Sequence, residues 1–417
     1  MQENTSTWKL NEPKPHFSPL NKNIDSDITI IGGGLAGIMT SYLLSKTGKK
    51  ITLIDSAKIG SGATEYTTAF LMQDIDTDLS QLLKIFGKDK AALIWKSHEE
   101  AINKIEEIIA KEKIDCEFMS CPGYIYANDK KEAEDLNAEM EAAAECGFKM
   151  VKVTDLKFQQ SGAARLDNQG KFHPLKFLYA LSEKARDNGV QIYEDTEALE
   201  IINDQGRITI KTHQGEIKTN QVIVATYDPF NYPKQLMFKK GTYVSYVFEV
   251  LLPPNTLEEA LYLDLYNPYR YFRIDKATAG QRMILGGEDH RHEIKMDPEK
   301  NYTALEEYLK TILPGVEYKI NKRWTGPILE PSDGLALIGE YKKNEYVATA
   351  FSGNGMTYSA IAAMLLTDLI NKKPNPWTEL YDPKRIPGIK QIYEKAKDYT
   401  GELLGGAAKN LFDKTND

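Results

Sequence analysis

A glycine run set between two apolar stretches most restricts the folds open to this chain. In the segment from Asp27 to Gly37 the spacing is Gly32-x-Gly34-x-x-Gly37. Ile28 to Ile31 are β-branched throughout, without polar alternation, as expected of a parallel strand buried on both faces. Leu35 to Ser45 reads as a helix ending near Gly48, and Ile51 to Asp55 as a second buried strand. This is one βαβ unit. The first glycine permits a tight turn, the second lets backbone approach a pyrophosphate, and the third lets the helix pack closely on its strand. The helix N-terminus then offers unpaired N–H groups to the phosphates. Asp55, at the end of the second strand, can accept from ribose hydroxyls. Gly32, Gly33, Gly34, Leu35, Ala36, Gly37, Asp55 and Ser56 are therefore the first cofactor-binding candidates.

The rest of the chain extends this unit. Residues 1–24 are polar, contain Pro13, Pro15 and Pro19, and predict a flexible, extended arm with no core of its own. Helical spacing recurs around Ile102–Ile109 and from Lys130 to Cys146. A helix from Pro174 to Asn188 leads to a strand at Val190–Tyr193. Short strands at Leu199–Ile202, Arg207–Thr212 and Glu216–Lys218 predict an inserted β-meander. Val222 to Ala225 returns to a buried strand. Gly241 to Gly287 predicts long antiparallel strands, followed by a helix near Tyr302–Leu313 and strands at Lys319–Trp324, Leu335–Ile338 and Tyr346–Ala350. A helix spans Gly355 to Ile370, and 384–417 reads as an amphipathic helical tail. The expected architecture is α/β: a Rossmann-type domain with a parallel sheet and inserted β-meander, plus an α+β substrate domain with a large antiparallel sheet. The expected division assigns 25–95, 145–230 and 325–383 to the cofactor domain, and 96–144 and 231–324 to the substrate domain.

Composition removes several classes of function. The formal net charge of −8 gives no basic face for nucleic acid. No apolar run reaches the roughly 18 residues of a transmembrane segment, and the polar N-terminus has no signal-peptide core. Cys116, Cys121 and Cys146 lack metal-site spacing and predict free thiols in a cytoplasmic protein, with no metal.

Three later segments carry a family resemblance. They are Ile59-Gly60-Ser61-Gly62-Ala63-Thr64; Trp324-x-Gly326 with Asp333-Gly334 and Ile338-Gly339; and Phe351-Ser352-Gly353-Asn354-Gly355-Met356-Thr357. With the glycine run, they make the chain resemble the D-amino-acid oxidase (DAO) family of FAD-dependent oxidoreductases from about Ile28 to Tyr381. The resemblance implies FAD, with Gly62, Ala63, Thr64 and Gly326 against the cofactor. Gly353, Asn354, Gly355, Met356 and Thr357 would open a helix whose N-terminus faces the flavin, where reduction adds negative charge. Ala198, Ala225 and Thr226 complete the expected cofactor set. Thr67-Thr68-Ala69 and Gly286-Gly287-Glu288-Asp289-His290 resemble the branch often fused to a Rieske domain, and Thr67, Thr68 and Ala69 join the cofactor candidates. No cysteine follows Cys146, so the expectation is a stand-alone relative or one that docks a separate electron-acceptor protein. Phe70 stands where relatives often carry His, and with no late Cys the expected FAD is noncovalent.

The same resemblance locates a departure. Amino-acid oxidases of the family commonly place an Arg four residues after the Trp of W-x-G, and here that residue is Ile328. Ile cannot replace an Arg–carboxylate fork. Arg270, Arg273, Arg291 and Arg323 are the alternatives, with Arg273 ranked first. His98, His173, His213 and His292 are scattered; His290 stays a catalytic candidate. Eight tyrosines lie between Tyr227 and Tyr271, among them Tyr232 and Tyr266, and Tyr246 and Tyr271 are the favoured catalytic pair. Aromatic faces can hold an amine. The expected reaction is oxidation of a C–N bond in a small amine or amino acid by hydride transfer to FAD, by an oxidase or a dehydrogenase. The alternative is a flavoprotein electron-transfer partner of a separate iron–sulfur protein.

Overall fold

The computed structural model describes residues 5–10, 14–158, 160–230, 240–265, 269–292 and 296–386. Tyr232, Tyr266 and most of the expected tail, from residue 387 on, lie outside the described residues.

The glycine run forms the expected unit. The strand Ile28–Ile31 is fully buried, and the helix Leu35–Ser45 begins directly after Gly34. The strand lies inside a six-stranded sheet in the order Leu337–Lys342, Glu345–Thr349, Gln221–Val224, Ile28–Ile31, Ile51–Ile54, Gln191–Tyr193. All neighbours are parallel except the hairpin formed by the first two. The connections run in opposite directions from Ile28–Ile31 and its neighbour Gln221–Val224, so a topological switch point opens beyond their carboxyl ends, where ligands bind in such sheets. Gly32 and Ala225 follow those two strands.

Helices Leu35–Ser45, Pro174–Asp187 and Gly355–Ile370 share one apolar core on this sheet. Gly355–Ile370 is buried on nearly every side, which is why its sequence shows no polar stripe. Its outer flank is covered by the long helix Lys88–Glu112, which contributes Ala91, Ile94, Trp95, Ala101, Ile102 and Ile105 to the same core. That helix runs through the expected domain boundary between residues 95 and 96. On the other side of the sheet sits the meander Glu200–Asp204, Arg207–Lys211 and Glu216–Thr219. It gains a fourth strand from the N-terminal segment, where Ile24–Asp25 pairs parallel with Glu216–Thr219.

The substrate-side sheet is larger than expected. Its main path is Lys319–Pro331, Lys240–Leu252, Gly280–Arg291, Tyr271–Ala277, Leu261–Asp264, Met119–Ala127, Gly162–Lys171 and Phe70–Leu71. It is mixed, because Leu261–Asp264 pairs parallel with Met119–Ala127. Gly162–Lys171 was assigned to the cofactor domain by sequence but belongs here, and Lys319–Pro331 crosses the expected 324/325 boundary. One face packs on helix Pro298–Ile312 through Tyr246, Phe248, Val250, Tyr302, Leu305 and Leu309. The opposite face looks toward the glycine run.

The N-terminal arm is also corrected. It is extended, but Trp8, Phe17 and Leu20 are buried. Phe17 N donates to Glu194 and Leu20 N to Thr196 Oγ1, so the arm is fastened to the cofactor layer by backbone as well as side chains.

Candidate active site

Between the two sheets lies a cavity of about 680 Å³, the size of small-molecule and cofactor sites. Its floor is the glycine turn. Gly32 has φ +112°, and a Cβ there would lie 2.4 Å from Ala225 O. At Gly37 a Cβ would lie 1.9 Å from Gly32 O, so only glycine lets the helix sit this close to its strand. Gly32, Gly34, Leu35 and Ala36 line the cavity, as do Asp55 and Ser56. Gly33 and Gly37 do not; they shape the turn from behind. The Asp55 carboxylate accepts from Gly33 N at 2.6 Å and Ala57 N at 2.8 Å. Burial raises its pKa, and these two amides oppose the rise.

The far walls come from segments distant in sequence. Gly62, Ala63, Thr64, Thr67 and Thr68 line one side; Ala198, Ala225 and Thr226 line another. Gly326 and Ile328 border it from the large sheet. Gly353, Gly355 and Met356 bring in the start of helix Gly355–Ile370, whose first-turn amides carry the positive end of the helix dipole. Asn354 and Thr357 do not line this cavity. Asn354 Oδ1 accepts from Asp76 N, and Gly353 N donates to Asp76 Oδ2 at 2.7 Å. The Thr357 hydroxyl is paired with His98 Nδ1 at 2.8 Å and donates to Asn354 O. It is thus a brace for the turn, not an open donor.

Of the four catalytic candidates, the structure brings one to the cavity. Tyr271 lines it, 3.1 Å from Ser245 Oγ, with its ring edge-on to Phe70. Burial raises its phenol pKa, so the hydroxyl stays protonated. Tyr246 points the other way. On strand Lys240–Leu252, Ser245 and Val247 line the cavity, whereas Val244, Tyr246 and Phe248 face helix Pro298–Ile312. His290 shares that far side, stacked on Tyr246 with ring centres 5.7 Å apart, and burial lowers its pKa.

Arg273 is corrected as well. It shares a strand face with Tyr271, yet it is only 2% exposed and every arm is engaged. The guanidinium donates to Asp275 at 2.8 and 3.0 Å and to the carbonyls of Thr68, Ala69 and Phe172. Asp275, also paired with Lys171 and Arg282, is held well below the usual carboxylate range by these cations, against burial. Arg273 therefore holds the 68–69 backbone that lines the cavity and is not open to a substrate carboxylate. Ala69, φ 59°, is the buried back of that wall. Trp8 Nε1 donates to Thr67 O and Trp324 Nε1 to Tyr66 O, so two indoles and one guanidinium fix the 66–69 segment from behind.

Two further residues stand out: Tyr227, part of the tyrosine cluster but not favoured within it, and Ser245, which the sequence reading missed. Tyr227 lines the cavity, and its buried hydroxyl has no hydrogen-bond partner among the described residues. Ser245 joins Tyr271 at the wall. The available signal for Ser245 is a small hydroxyl residue set within the run Tyr243–Phe248, whose other members are all apolar or aromatic. Among the described residues lining this cavity there is no Arg, Lys, His or Cys.

The glycine cradle, the helix N-terminus, Asp55 and the orphaned Tyr227 hydroxyl together suit an adenine dinucleotide with a flavin ring at its far end. A family model described as FAD-dependent oxidoreductase, DAO, matches residues 27–369. The chain belongs to the DAO family of FAD-dependent oxidoreductases. It is 29% identical to the putative Rieske 2Fe-2S iron-sulfur protein YhfW of Bacillus subtilis over 408 residues, covering 96% of this chain and 80% of that protein. It is 26% identical to gamma-glutamylputrescine oxidoreductase of Escherichia coli, covering 89% of this chain and 90% of that protein. The DAO fold is seen in glycine oxidase from Geobacillus kaustophilus, with TM-score 0.74 and 19% identity over 87% of this chain and all of that one. It is seen again in L-proline dehydrogenase from P. horikoshii, with TM-score 0.73 and 21% identity over 88% of this chain and 98% of that one.

Among the described residues no helix is long and apolar enough to cross a membrane, and no cluster of His, Cys, Asp or Glu is arranged to hold a metal ion.

Proposed function

We propose that this DAO-family enzyme oxidises the C–N bond of a small amine that carries no carboxylate beside the reacting carbon. The observation that carries this reading is the absence of any cation among the described residues lining the cavity, with Ile328 at the anchor position and Arg273 locked behind the wall. An α-carboxylate buried there would lose water without gaining a charged partner.

Gly32, Gly34 and the first turn of Leu35–Ser45 would hold the pyrophosphate of noncovalent FAD, Asp55 the ribose, and the first turn of Gly355–Ile370 the pyrimidine end of the flavin. Bound there, FAD supplies the acceptor for a hydride, the hydrogen and electron pair of the C–H bond next to nitrogen. The chain's own residues prepare the amine. An ordinary alkylamine, with a pKa near 10.4, costs about 4–5 kcal/mol to deprotonate at pH 7. Burial against Tyr271, Ile328 and Val247 disfavours the ammonium form, and the Ser245–Tyr271 hydroxyl pair can donate to or accept from the nitrogen. The imine product then hydrolyses in water to a carbonyl compound and an amine.

The amine-acting relative, gamma-glutamylputrescine oxidoreductase, is consistent with this choice. The match to an iron-sulfur protein favours a separate protein as electron acceptor, and the three free cysteines suit a cytoplasmic setting. The test is anaerobic mixing of the FAD-loaded enzyme with primary and secondary alkylamines, glycine and proline. Loss of the oxidised-flavin absorbance with alkylamines and not with the amino acids is expected. The reverse preference would sink the assignment. Slow reoxidation by O₂ beside fast reoxidation by a dye would identify a dehydrogenase.

A further inference from the structure

A second cavity, of about 510 Å³, adjoins the first. Ile328 lines both, and the 353–355 turn separates them, with Gly353 and Gly355 facing the first and Asn354 the second. Among the described residues, eight carboxylate side chains line this space against Lys84 and Lys131. Asp74 and Glu139 are more than nine-tenths buried, and burial raises the pKa of both carboxyls. Glu139 is occupied by the Ser80 amide, and Asp76 by Gly353 N and the Tyr269 hydroxyl. Asp289 differs. Its Oδ1 is shut off from solvent and accepts no hydrogen bond among the described residues. Asp289 lines the cavity, and a buried carboxylate oxygen left without a donor is costly unless a ligand supplies one. Tyr243 and Tyr269 add aromatic surface to the same lining, the combination that favours an organic ammonium.

We propose that the second cavity binds the remote ammonium group of a diamine or polyamine whose reacting C–N bond lies in the first cavity, with Asp289 Oδ1 accepting from that ammonium. This rests on the amine reading above and narrows it to substrates with two cationic centres. Ile328 is common to the two linings, and an apolar residue at that junction fits a methylene chain. The charge on Asp289 is set locally. Burial, opposed by the Ser245 hydroxyl and reinforced by Asp76, Glu288 and Glu330, pushes its carboxyl up to about 7. Diamine binding should therefore strengthen as pH rises through about 7, when the carboxylate forms.

The experiment compares kcat/KM of the FAD-loaded enzyme for straight-chain α,ω-diamines and for monoamines of equal length, with a dye acceptor, at low and high salt. A diamine preference of about tenfold or more is expected at low salt, shrinking as salt rises. In an Asp289→Asn variant the diamine-to-monoamine ratio should fall several-fold through KM; as a ratio within one preparation it does not depend on how much enzyme folds. Equal kcat/KM for diamines and monoamines in the parent enzyme overturns the proposal and leaves amine oxidation standing. A diamine preference that the Asp289→Asn variant retains in full also overturns it, because the cation would then bind elsewhere. Failure of every amine to reduce the flavin removes the amine reading itself.

Discussion

At the scale of single residues, the cavity wall depends on which side of a strand a side chain leaves. Tyr271 reaches the cavity because it lies on the same sheet face as Ser245, and the two hydroxyls meet at 3.1 Å. Tyr271→Phe keeps the edge-on contact with Phe70 and removes one hydrogen bond, worth about 1–2 kcal/mol of amine positioning. The expected result is a roughly 5–30-fold lower kcat/KM for alkylamines with FAD content unchanged. Parental kcat/KM in this variant would show that the hydroxyl does not touch the reacting amine. Tyr246→Phe, on the far face, should leave kcat/KM within a factor of two or so, since it removes a hydroxyl that faces helix Pro298–Ile312.

At the scale of elements, two devices hold the cavity from outside. The arm inserts Trp8 between the cations Arg273 and Arg282 and the edge of His173, and its indole grips Thr67 O. Trp8→Ala empties a fully buried site and should cost about 3–5 kcal/mol. Because it loosens the 66–69 wall, FAD should also bind more weakly; thermal denaturation and flavin retained on desalting report the two effects. A stable variant with full flavin retention would show the arm to be a passive cover. The second device is the pair formed by helices Lys88–Glu112 and Gly355–Ile370, joined by His98 and Thr357. Burial lowers the His98 pKa to about 3, while the unfolded chain takes up a proton near the ordinary 6.5. The stabilisation from the neutral ring is thus complete above pH 6.5 and is lost as pH falls toward 3, by about 2 kcal/mol between pH 6.5 and 5. His98→Gln should flatten that part of the stability–pH curve in urea titrations. An unchanged slope would place the titrating group elsewhere.

At the scale of the whole molecule, the cavity lies between two sheets, and FAD would touch both. Ligand at 100 times its Kd adds about 2.7 kcal/mol to folding stability. The apo-protein should accordingly melt several degrees below the FAD-saturated enzyme, and an identical midpoint would contradict a cofactor held by both layers.

The boundary between what sequence determined and what tertiary structure decided follows from the range of the signals. The strand–glycine–helix unit was legible from end to end, and helix Gly355–Ile370 was placed at its observed bounds, because glycine spacing, β-branching and helical periodicity act within a few residues. Strands Met119–Ala127 and Gly162–Lys171 escaped notice for the same reason. The first contains Pro122 and Gly123, and shows a register shift between Cys121 and Gly123; the second, GAARLDNQGK, has little β-propensity and is a strand because its neighbours pair with it. Tyr246 was misplaced because strand Lys240–Leu252 is covered on both faces, one by a helix and one by the cavity, so its apolar residues do not alternate and the facing side cannot be read. Arg273 had the right face, but only the folded chain sets the Thr68 and Ala69 carbonyls in front of it. A dinucleotide site is written in local geometry at Gly32, Gly34 and Gly37, and FAD in the resemblance carried by the later segments. The second, acidic cavity is assembled from carboxylates between Asp74 and Glu330 that no spacing connects, and only the packing of the two sheets brings them to one side of Ile328.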